Sequence, residues 1–279
     1  MSRRYTWKSF SWELTMLLGA LLFCLPLYIL VSVALKQPRD LFTSPLEITD
    51  PHFANFATSW RASIGRGGGL PGAIRSSVII TLSSVAILVT LGSLCAYTLA
   101  RRPGKLSTGL YLLFVLGIIV PFQLSVLPVF TAFRHLGLIG TYLGMIALWV
   151  GLLMPLTVFL YTGFVRTLPR DYEEAARMDG AGLTRTFVRV VFPLLRPITG
   201  TVAILTGLFI WNDFFASLIF LGGSGRETLP VAVYSFVGEY LTQWNLVFAT
   251  VIIALLPLAV FFVIAQKQMI RGFSGGIRG

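Results

Sequence analysis

The sequence predicts an all-α membrane protein, with six transmembrane helices and a cytoplasmic two-helix loop between the fourth and the fifth. Three observations predict it. Charged residues make up 12% of the chain against 56% hydrophobic, roughly half the charged share of a soluble domain. Six apolar runs of 20 residues or more succeed one another and together contain one formal charge, Asp213. About 20 such residues cross the hydrocarbon core as a helix, and no open element other than a helix satisfies its backbone there. Between the fourth and fifth runs lies a charged island, Pro169–Pro197, too polar to enter lipid.

The elements follow in order. Residues 1–13 read as a short basic tail ending in Trp7, Trp12 and Glu13, with the tryptophans set for the membrane interface. The first run, Leu14–Leu35, is too long for a signal-peptide core and lacks a small-residue cleavage site, so it reads as a retained anchor. Residues 36–77 form the longest outer loop, and its Gly65–Gly72 stretch reads as a flexible connection. The second run is Val78–Ala100 and the third Leu110–Phe130. Pro121 and Pro128 flank Gln123 and Ser125 in the third, which therefore reads as broken and locally polar. A tight outer turn over 131–141 leads into the fourth run, Tyr142–Phe164. The fifth is Ile198–Phe220; an outer loop over 221–245, with a short helix before Trp244, precedes the sixth, Leu246–Ala265. Gly92, Ser93, Gly144 and Gly151 are small enough to let helices approach closely. Cys24 and Cys95 lie inside runs and read as small buried apolar side chains.

The net charge of +11 is a matter of orientation, not of nucleic-acid binding. With the N-terminus cytoplasmic, fifteen of the 22 basic residues fall on inner segments, and the short 101–109 loop alone holds Arg101, Arg102 and Lys105. The positive-inside rule then places both termini in the cytoplasm.

Within the island, Asp171 is placed to N-cap a helix whose first turn holds Glu173 and Glu174, where negative charge complements the helix dipole. Gly180 is placed to end that helix in a left-handed conformation. Thr184 is placed to cap a second helix through Val191, which Pro193 stops. Ala175 and Ala176 make a small, smooth patch that another surface could approach closely.

Glu174-Ala175-Ala176, Asp179-Gly180-Ala181 and Phe192-Pro193-Leu194 resemble, in order and spacing, the EAA motif of binding-protein-dependent ABC import permeases. The resemblance implies that this loop is a coupling helix seated in a groove of a separate ATPase, with Glu174, Ala175, Ala176, Asp179 and Gly180 as docking residues. Trp211-Asn212-Asp213-Phe214-Phe215, Leu218-Ile219-Phe220, Thr228-Leu229-Pro230 and the ending QKQMIRGFSGGIRG resemble the maltose-type carbohydrate branch. The implied partners are a second homologous permease, two cytoplasmic ABC ATPase subunits and an extracytoplasmic sugar-binding protein, around a multi-pass subunit of a prokaryotic inner membrane.

A sugar path needs amides or carboxylates for hydroxyls and aromatic faces for rings. Gln123, Trp211, Asn212 and Asp213 are the candidates, with Trp149 and Tyr142 as additions. Asp213, a carboxylate at membrane depth, reads more as structural than as a sugar contact, satisfied by backbone donors at a helix break or by pairing with a partner subunit.

No GxxxxGK[ST] phosphate loop occurs, so the chain is not expected to be an enzyme, and ATP and Mg are expected on the partner subunits, with no cofactor in this chain. His52 and His135 stand apart, without the spacing of a metal site. An ABC permease for a non-sugar solute and an ion-coupled secondary carrier are the alternatives, the latter with only Asp213 to relay protons.

Overall fold

A backbone that cannot reach water must bond to itself, and the apolar runs accordingly fold as helices. The computed structural model describes residues 7–43, 47, 50–62, 68–102, 104–239 and 243–275. In chain order its helices are α1 (Trp7–Ala34), α2 (Asp40–Thr43), α3 (Ala54–Arg61), α4 (Gly69–Arg101), α5 (Lys105–Ile119), α6 (Phe122–His135) and α7 (Tyr142–Thr167). The island follows as α8 (Asp171–Met178), α9 (Leu183–Thr186), a π-helical turn (Phe187–Val191) and α10 (Phe192–Leu194). Then come α11 (Arg196–Trp211), α12 (Phe215–Leu221), α13 (Leu229–Glu239) and α14 (Trp244–Gly275).

Among the described residues three helices are long and apolar enough to cross a membrane, Phe10–Ala34, Gly69–Arg101 and Tyr142–Thr167, and bent pairs raise the number to as many as five. The third run is not a straight span. Pro121 lacks an amide hydrogen and holds its own φ at -64°, so α5 stops at Ile119 and α6 leaves at 102° to it. The fifth run is interrupted as well, since α11 ends at Trp211 and α12 begins only at Phe215. The outer-loop helix before Trp244 is present as α13.

α4 and α7 form the spine, with α11 crossing both. Among the described residues the largest buried clusters are two: one gathers Ile80, Leu88, Met145, Trp149, Ile210 and Phe220, and a second gathers Ala96, Tyr97, Val158, Tyr161, Val191 and Val202. Gly92 sits on the α4–α7 seam: a Cβ there would collide with the Thr157 methyl, so only a hydrogen side chain allows this approach. Gly144 and Gly151 do not play the same part. A Cβ at Gly144 meets the Leu138 carbonyl of the preceding turn, and Gly151 faces open space.

α1 packs on α14 and leaves Leu17, Leu18, Leu21, Leu22 and Phe23 exposed, as a lipid-facing helix does. Cys24 is exposed on that same surface and Cys95 is half-buried, so the expectation of two buried thiols fails for Cys24. Two loop expectations are also corrected. The end of the N-terminal tail, from Trp7, is already helix, and α4 starts at Gly69, inside the stretch read as a flexible connection; residues 63–67 lie outside the described ones. The C-terminal ending is helical through Gly275, and residues 276–279 lie outside the described ones.

Candidate functional site

The island is where the chain presents charge away from the bundle. α8 starts at Asp171 itself, with Arg170 in the flanking position, so Asp171 adds charge to the first turn without capping it. Gly180 at φ +79° ends the helix in the left-handed conformation that its lack of Cβ permits. Ala181 N–H then donates to the Ala176 carbonyl at 2.9 Å. Gly182, not Thr184, precedes α9, and Thr184 lies exposed within it. Pro193 does not stop the second helix. The chain runs on helically from the π-helical turn through Pro193 to Leu194 and bends by 75° at Leu195.

α8 has two faces. Glu174, Ala175, Asp179 and Gly180 are exposed and Ala176 half-buried, so the five residues with the family motif are largely open to a partner. Tyr172, Met178 and Leu183 add apolar surface beside them, with Met178 at 88% exposure. Sequence periodicity over so short a helix did not single these three out.

The other face is one residue, Glu173, 4% exposed. Its Oε1 accepts from Arg101 Nε at 2.6 Å and its Oε2 from the Tyr97 hydroxyl at 2.9 Å. A second Arg101 nitrogen donates to the Leu168 carbonyl at 2.9 Å. The Tyr97 ring lies 5.2 Å from that of Phe187, in the island's second helix. The sequence places Glu173 in the first turn but does not show its buried pairing, because its partners lie 76 and 72 residues away. An adjacent Glu-Glu pair, only one of which fits the motif, was the available signal.

At the α11–α12 break Asp213 accepts hydrogen bonds from its own chain. Its Oδ1 accepts from Ala216 N–H at 3.2 Å, and its Oδ2 from Ser217 N–H at 2.8 Å and Ser217 Oγ at 3.0 Å. Those backbone donors are the orphans of the first turn of α12, so the carboxylate caps that helix. Asp213→Ala is therefore expected to lower stability by about 1 kcal/mol, read as a downward shift in the thermal unfolding of the purified protein. Asp213→Asn keeps an acceptor oxygen and is expected to shift it less.

Trp211 and Asn212 line a cleft of about 420 Å³ with Phe214, Tyr234, Leu229 and Val251. Asn212 Nδ2 donates to the Leu208 carbonyl, and the Tyr234 ring packs at 5.0 Å from Phe214. Trp211 also borders a second, apolar cavity of about 350 Å³ with Thr81, Val85, Gly207 and Pro257. Gln123 lies exposed on α6 and lines neither cavity. Trp149 is buried in the core, and Tyr142 shares a hydrogen bond of 3.0 Å with Ser76.

Comparison with known proteins decides the family. Residues 88–274 match the binding-protein-dependent transport system inner membrane component. The chain belongs to that family. As such a permease component it is 39% identical over 271 residues to the melibiose, raffinose and stachyose import permease of Bacillus subtilis (strain 168), spanning 95% of this chain and 96% of the relative. It is 31% identical over 277 residues to the multiple sugar-binding transport system permease of Streptococcus mutans, spanning 96% of each. Its fold matches that of a bacterial ABC transporter for the import of the acidic polysaccharide alginate, with a TM-score of 0.76 at 19% identity over 95% of this chain and 99% of that one. This permease is thus an all-helical, multi-pass membrane protein.

Proposed function

We propose that the chain is one permease subunit of an ATP-driven, binding-protein-dependent sugar importer, crossing the membrane six times with both termini cytoplasmic. The observation that carries the sugar reading is the end-to-end likeness to a permease for melibiose, raffinose and stachyose. The bent α5–α6 pair, α11 with α12, and α14 complete the six crossings with α1, α4 and α7. A second permease pairs with this one, two cytoplasmic ATPases bind ATP and Mg, and an extracytoplasmic binding protein delivers the sugar.

Glu174, Ala175, Ala176, Asp179 and Gly180 dock into the ATPase. Their support is the exposure of that face of α8, with Tyr172 and Met178 adding apolar area to it. Trp211 and Asn212, with Phe214 and Tyr234, offer passing sugars aromatic faces and an amide along the cleft, whereas Gln123 lines no part of it. Asp213 supports the path by capping α12 and needs no proton relay, which favours ATP over an ion gradient as the energy source.

The test is ATP turnover by the purified four-subunit complex with its binding protein, across a panel of melibiose, raffinose, maltooligosaccharides and alginate oligomers. One sugar class is expected to stimulate turnover, and uptake is expected to persist after proton and sodium gradients collapse. Uptake by this chain alone on an ion gradient, or stimulation only by non-sugar solutes, overturns the proposal.

A further inference from the structure

We infer that Arg101, Glu173 and Tyr97 form a latch between the island and α4, through which displacement of α8 is passed into the helix bundle. This rests on the reading of α8 as the ATPase-docking helix. Glu173 and Glu174 are neighbours on that helix, about 100° apart around its axis. One points out to where the partner would sit, and the other is buried against the bundle. Any movement imposed on the outer face is therefore felt at once by the carboxylate behind it.

The geometry suits a rigid joint. Each oxygen of Glu173 has its own donor on α4, Arg101 Nε on one and the Tyr97 hydroxyl on the other. Two separate charge-assisted or polar bonds fix orientation as well as distance. The Arg101 and Glu173 side chains are 11% and 6% exposed, so water does not compete for the pair. Arg177, four residues on, stands 4.0 Å from the same carboxylate but is half exposed, and adds little. Arg101 also holds the Leu168 carbonyl, at the exit of α7, and the Tyr97 ring packs at a tilt against Phe187 in the second island helix. Both arms of the island thus meet the last turn of α4.

α8 itself packs on α9 and the π-helical turn, and Glu173 is its polar tie to the spine. From Arg101, α4 runs back as one unbroken helix past Val85, Thr81 and Val78, which border the cavity shared with Trp211. Buried ion pairs are poor sources of stability and are better suited to fixing register between parts. Here the parts are the docking helix and a wall of the cavity.

The experiment uses the whole complex in proteoliposomes, with the panel sugar that most stimulates the wild type. Glu173→Gln and Arg101→Gln are each expected to co-purify with the ATPases as wild type does, yet to raise the ATP hydrolysed per sugar imported by about two- to thirtyfold. The double variant is expected to be no worse than the worse single one, because both break one joint. Tyr97→Phe, which removes a single hydroxyl, shifts the ratio in the same direction by less, and decides the matter should the charge variants accumulate poorly. An unchanged ratio in these variants overturns the latch, and so does loss of ATPase co-purification in Glu173→Gln, which would put that residue in the docking face. A wild-type complex with no sugar-stimulated turnover sinks the importer reading instead, before any variant is compared.

Discussion

Ala175→Trp is expected to abolish co-purification of the ATPase subunits while the permease accumulates in the membrane at wild-type level. Ala175 is exposed at the middle of the outward face of α8, so an indole there fits without disturbing the island's own packing. Its contacts with the bundle run through Glu173 on the opposite side. The bulk instead projects into the space that an approaching partner must occupy, where overpacking leaves no room to relax. Glu174→Lys tests the same face by charge. Reversal in the first turn of α8 costs the helix itself only about 0.3–1 kcal/mol through its dipole. Loss of ATPase binding in that variant therefore reports the docking contact. Both variants are expected to pair normally with the second permease. Wild-type co-purification and sugar-stimulated turnover in both, at equal abundance, would leave the island an ordinary surface connector.

Much of this site was legible in the sequence because it is local. The exposed motif residues, the left-handed Gly180 and the break at Pro121 each follow from a residue type acting on its own backbone. The two faces of α8 were not legible, because what distinguishes Glu173 from Glu174 is the distant pair Tyr97 and Arg101. Asp213 shows the intermediate case. Its cost at membrane depth was evident, but whether backbone or partner answered it depended on where α11 stopped. Local rules also misplaced two caps. Asp171 and Thr184 have the right side chains, yet the chain enters its helices through Arg170 and Gly182, since loop geometry and packing at the bundle set the starting point. Cys24 misled because apolar residues in a membrane face lipid as readily as protein.

Cysteines placed at Ser107 and Thr184 are expected to resist an impermeant thiol reagent applied from outside, whereas one at His135 is expected to react fully. The structure groups the loops into two sets before any orientation is assigned. Gly140 N–H donates to the Phe220 carbonyl and Arg226 to the Gly140 carbonyl, which ties the 136–141 turn to the 221–228 loop. Arg101 binds Leu168 and Glu173, which ties the α4–α5 connection to the island. The two sets sit at opposite ends of α7, whose 26 residues span about 39 Å, more than the hydrocarbon core of a bilayer. Charge then chooses the side. The set containing Ser107 and Thr184 carries Arg101, Arg102, Lys105, Arg166, Arg170, Arg177, Arg185, Arg189 and Arg196, whereas the other carries Arg134 and Arg226. Short loops so unequal in Lys and Arg retain the basic side in the cytoplasm. The background must lack Cys24 and Cys95, the first of which is exposed on α1. Labelling at Ser107 and Thr184 but not at His135 would invert the topology, put the island outside and remove the ATPase from its reach.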